Sequence, residues 1–66
     1  MKSIITKKQF FNTLEFFSND SRFKLTISQY LSPKQEPLII YYHFQSKNKK
    51  FTLVHLLDNN SYRYTD

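Results

Sequence analysis

The sequence predicts an α+β domain: one N-terminal amphipathic helix packed on one face of a three- to four-stranded antiparallel meander, in the order α-β-β-β-(β). Three observations lead there. Apolar residues recur at helical spacing between positions 7 and 18. From position 22 onward they alternate with polar residues, as in half-buried strands. Turn-forming stretches (SPKQEP, SKNKK and DNNS) then cut the alternating part into short pieces.

The helix has a readable start. Thr6-Lys7-Lys8-Gln9 is a capping box, with Thr6 as N-cap and Gln9 at N3. Ile5 and Phe10 fit a hydrophobic staple across that cap. Phe10, Leu14 and Phe17 then fall on one face. Ser18-Asn19-Asp20 ends the helix, and Asn19 is expected to take the left-handed position that glycine usually fills.

The first strand is expected over Arg22–Leu31, where Phe23, Leu25, Ile27, Gln29 and Leu31 point one way and Arg22, Lys24, Thr26, Ser28 and Tyr30 the other. Two prolines in SPKQEP end it. Leu38–Gln45 and Phe51–Leu57 form the second and third strands, and Tyr62–Tyr64 a short possible fourth. The expected pairs are Leu31 with Leu38, Ile27 with Tyr42 and Leu25 with Phe44, then Phe44 with Leu53 and Tyr42 with His55. The inner face then holds Phe23, Leu25, Ile27, Leu31, Leu38, Ile40, Tyr42 and Phe44, joined by Phe51, Leu53, His55 and Leu57. A register slipped by one would turn Phe51 and Leu53 outward and needs a glycine-type loop that this chain cannot supply.

That register separates the two histidines. His43 points outward and His55 inward, so they do not form a catalytic or metal-binding pair. His55 is expected to be a partly buried core residue hydrogen-bonded to a tyrosine.

Sixty-six residues make one domain, residues 1–66, with a small core. Absence of cysteine removes disulfides and thiolate chemistry, and two histidines alone do not close a zinc site. Five tyrosines and seven phenylalanines must supply dense aromatic packing in compensation. Lys7 and Lys8 interrupt the apolar start, so no secretory leader is read, and no run is long enough to span a membrane. A cytoplasmic protein that does not engage membranes is the expectation. The chain has no glycine for a phosphate-cradling loop, no Ser-His-Asp spacing and no clustered carboxylates. No enzyme activity, cofactor or metal is therefore expected.

One helix covers one face of such a sheet. The other face carries Tyr30, Ile39, Tyr41, His43, Val54 and Leu56, an apolar and aromatic patch of the kind that marks an interaction site. Arg22, Lys24, Lys47, Lys49 and Lys50 form a basic rim, and the net charge of +5 points to an anionic partner. A protein partner, or a second copy of the chain docked through this open face, suits the apolar centre. Single-stranded nucleic acid is the alternative, with bases stacked on the aromatics and lysines along the phosphates. Few residues come from GC-rich codons: there is no Gly or Ala and only two Arg and two Pro. Small size, basic charge and this composition fit the style of a phage- or plasmid-encoded inhibitor or regulator of a host or defence protein linked to nucleic acid.

Overall fold

The computed structural model describes residues 2–66. The elements are β1 (Lys2–Ile5), α1 (Lys7–Ser18), β2 (Lys24–Leu31), β3 (Pro37–Gln45), β4 (Lys50–Leu56) and β5 (Ser61–Thr65). All five strands lie in one antiparallel sheet in the order β1-β5-β4-β3-β2. The α+β class is as the sequence predicts, with five strands in place of three to four. The uncertain last strand forms fully. The extra one is β1, which pairs with it from Lys2 opposite Thr65 to Ile5 opposite Tyr62.

The cap forms as read. Thr6 is extended (φ −78°, ψ 160°), its hydroxyl accepts from the Gln9 N–H at 3.1 Å, and Gln9 Oε1 accepts from the Thr6 N–H at 2.9 Å. The helix end differs from expectation. Asn19 has φ −93° and ψ 0°, outside the left-handed region. Its side-chain amide donates to the Glu15 carbonyl at 2.9 Å, and its backbone N–H also reaches that carbonyl. The Glu15 carbonyl thus takes two bonds from Asn19, and the Asp20 N–H closes on the Phe17 carbonyl at 3.2 Å, so the helix ends without a left-handed residue.

The helix packs over β5 and β4. Phe10 is fully buried, with the rings of Tyr62 at 4.8 Å, Tyr42 at 5.7 Å and His55 at 5.8 Å. At the other end Phe17 meets Phe51 at 4.8 Å and Phe23 at 4.9 Å. Phe44 and Leu53 complete the buried centre. Ile27 and Leu31, expected in the core, remain 58% and 40% exposed. The helix starts beside the β1/β5 edge and ends near Phe23, so the far half of β2 projects beyond its cover.

Both hairpins keep their expected faces but not every pair. In the first, Leu25 opposes Phe44 and Ile27 opposes Tyr42 as read, whereas a bulge after Tyr30 sets Leu31 against Pro37, not Leu38. The cause is a five-residue loop in which Gln35 takes the left-handed conformation (φ 63°) and the Ser32 hydroxyl accepts from two loop N–H groups. In the second, Phe44 opposes Phe51 and Tyr42 opposes Leu53, two residues from the expected pairs. Lys47-Asn48 forms the turn, closed by a 2.8 Å bond from the Ser46 N–H to the Lys49 carbonyl. A shift of two preserves side-chain direction. It also brings the Phe44 and Phe51 rings together at 5.1 Å. The β4–β5 turn places Asn60 at φ 52°, where asparagine does what glycine would.

Candidate functional site

The strand registers put Ile4, Lys24, Thr26, Ser28, Tyr30, Ile39, Tyr41, His43, Gln45, Lys50, Thr52, Val54, Leu56, Ser61, Arg63 and Thr65 on the face opposite α1. They fall into cross-strand bands. Lys24, Gln45 and Lys50 form a basic band beside the β3–β4 turn. Thr26, His43, Thr52 and Thr65 form a hydroxyl and imidazole band. Ser28, Tyr41, Val54, Arg63 and Ile4 follow, then Tyr30, Ile39, Leu56 and Ser61. The face thus grades from cationic at one end to apolar at the other.

All six patch residues read from the sequence share this face. Five of them, Ile39, Tyr41, His43, Val54 and Leu56, line one shallow hollow of about 370 Å³ together with Thr52, Arg63 and Thr65. Val54 is buried at its floor, on the side of the sheet away from α1. Tyr30 lies outside the hollow on the edge strand, 59% exposed.

His43 is held on this face by two side-chain hydrogen bonds. Its Nε2 lies 2.9 Å from Ser28 Oγ and its Nδ1 lies 3.0 Å from Thr52 Oγ1. In either neutral tautomer one nitrogen donates and the other accepts, and each hydroxyl can take the complementary role. The ring is therefore held from β2 and from β4. It lies nearly parallel to Tyr41, with 9° between planes and 5.9 Å between centroids. The partners of His43 are hydroxyls, and no strand carries an Asp or Glu.

The basic rim divides. Lys24 and Lys50 lie on the open face. Lys49 reaches the helix side, its ammonium 5.8 Å from the Phe51 ring centroid, and Lys47 is at the exposed turn. Arg22 precedes β2 and pairs with Asp20 through bonds of 3.0 and 2.8 Å. Those bonds hold the Asp20 carboxyl down at about 2 and raise Arg22. Arg63 adds a further cation to the open face. It lies between Ile4 and Val54, and its Nε is buried without a hydrogen-bond partner. Thr52 and Thr65 carry no separate signal at the level of sequence, because threonine is ordinary in strands.

His55 is on the helix side, as expected, but differs in its contact with tyrosine. It stacks on Tyr62 at 4.5 Å and 17°, and its Nε2 makes no hydrogen bond. Among the described residues, no group of three His, Asp or Glu is placed to hold a metal ion, and no helix is long and apolar enough to cross a membrane.

Comparison with known proteins finds no match to a family model, a curated protein or a solved structure. The functional reading rests on the geometry of the open face.

Proposed function

We propose that this chain is a non-catalytic binding protein whose open sheet face docks onto a protein partner presenting negative charge beside an apolar patch. One observation carries the reading. The charged residues of β2, β4 and β5 (Lys24, Lys50 and Arg63) are all cations on the open face, while the five carboxylates belong to the helix, loops and C-terminus. Beside these cations lie Ile39, Tyr41, Val54 and Leu56, which suit the apolar centre of a protein interface. With its small size and basic, AT-rich style, the chain fits an inhibitor or regulator of a host or defence protein linked to nucleic acid, encoded by a phage or plasmid.

A second reading has its own support. The parallel Tyr41 and His43 rings, with Lys24 and Lys50 on the same face, suit direct binding of single-stranded nucleic acid. Affinity capture from host lysate, with and without nuclease, separates the two. A stoichiometric protein retained after nuclease, and lost with Leu56→Lys, supports the first. Nucleic acid alone, removed by nuclease and weakened by Tyr41→Ala, supports the second. Retention that ignores both variants rejects the open face as the site.

A further inference from the structure

The two edges of the sheet differ. β1 is four residues long and leads into the helix cap at Thr6, so it offers little backbone to another strand. β2 is eight residues long and is paired only with β3. Alternate residues of such a strand turn their N–H and C=O groups away from the neighbour, leaving a template for further pairing. The features that usually blunt an edge are sparse here. β2 has no proline, its single charge is at the first position, and its bulge comes only after Tyr30. Ile27, at mid-strand on the helix side, is 58% exposed because α1 does not extend over it.

We propose that β2 pairs antiparallel with β2 of a second copy, joining two sheets into one. A two-fold axis relating antiparallel edge strands stands perpendicular to the sheet, so both helices fall on one side and both open faces on the other. Centred on Ile27, the pairing sets Ile27 against Ile27 of the second copy, Leu25 against Gln29, Thr26 against Ser28, and Lys24 against Tyr30. The exposed isoleucines cover each other, and each Lys24 ammonium meets an aromatic ring in place of a like charge.

Charge also argues for the edge over the face. Stacking two open faces would bring Lys24, Lys50 and Arg63 toward their copies without a strand carboxylate between them. Edge pairing leaves the cations apart and doubles the open surface, with the two β4 strands roughly 24 Å apart at about 4.8 Å per strand. The pairing stands on β2 alone, whatever the open face binds.

The chain has no cysteine, so a single introduced thiol reports cleanly. Residues directly opposite in an antiparallel pair have Cα atoms within disulfide range. Light scattering of the wild type should show a mass twice 8.1 kDa at high concentration. Under mild oxidation, Ile27→Cys should form a covalent dimer at least about tenfold faster than Phe16→Cys, because association raises the effective concentration of the thiols. Phe16 is a fair control, at 65% exposure on the helix. Hydrogen exchange on the wild type needs no variant to fold: alternate β2 amides should gain protection as concentration rises. A monomer at every concentration, equal crosslinking rates, or β2 amides that exchange freely throughout would overturn the pairing. So would a dimer dissociated by Leu56→Lys and untouched by Ile27→Lys.

Discussion

Phe44 lies directly opposite Phe51 on the helix side of the sheet, with ring centroids 5.1 Å apart and planes within 16°. Both are buried, and Phe51 also meets Phe17, Phe23 and Tyr64. Removing one of these rings leaves a cavity at the junction of helix, β3, β4 and β5. Phe51→Ala should cost about 3–5 kcal/mol, comparable to the whole stability of a domain this small. Urea unfolding should find the variant largely unfolded before denaturant is added.

The helix cap offers a smaller, cleaner test. Thr6→Ala removes the hydroxyl that accepts from the Gln9 N–H. The expected loss is about 1 kcal/mol, read as a lower urea midpoint with unchanged slope.

Thr52→Val keeps the shape of the open face and removes a hydrogen-bond partner of His43. Stability should fall by about 1 kcal/mol. Nitrogen chemical shifts of the His43 ring should show a changed tautomer balance, since only the Ser28 contact then fixes the ring.

Asp20 supplies a pH test. Its carboxyl is lowered from 3.8 to about 2 by hydrogen bonds from Arg22, so the folded state binds its proton less readily than the unfolded chain. The stabilisation is fully present above the ordinary value and is lost as pH falls through about 2. Wild type should therefore exceed Asp20→Asn modestly at neutral pH, and the gap should close in this acid window. The pair is on the surface, so added salt should narrow the gap as well.

The fold was legible where local chemistry acts alone. Thr6 and Gln9 define the helix start, and strict alternation fixes which side chains of β2, β3 and β4 face the helix. Pair registers were less legible because loops decide them: Gln35 in the left-handed region shifts Leu31 onto Pro37, and a turn at Lys47-Asn48 moves Phe51 opposite Phe44. β1 escaped because four residues beside a helix cap carry too short an alternation to read, and its partner β5 is nearly as short. The open face followed from parity, and parity survived a shift of two. The fixing of His43 by Ser28 and Thr52 was not legible, since it depends on pairings across three strands.

Leu56→Lys offers the most direct test of the open face, because Leu56 lines the hollow and lies outside the core cluster under α1. Wild type and variant should be compared by hydrogen exchange and by capture from nuclease-treated host lysate. A variant that keeps the amide protection of β3 and β4 and loses the captured protein is the expected result. A variant equally folded that captures the same protein to the same extent would show that binding lies elsewhere.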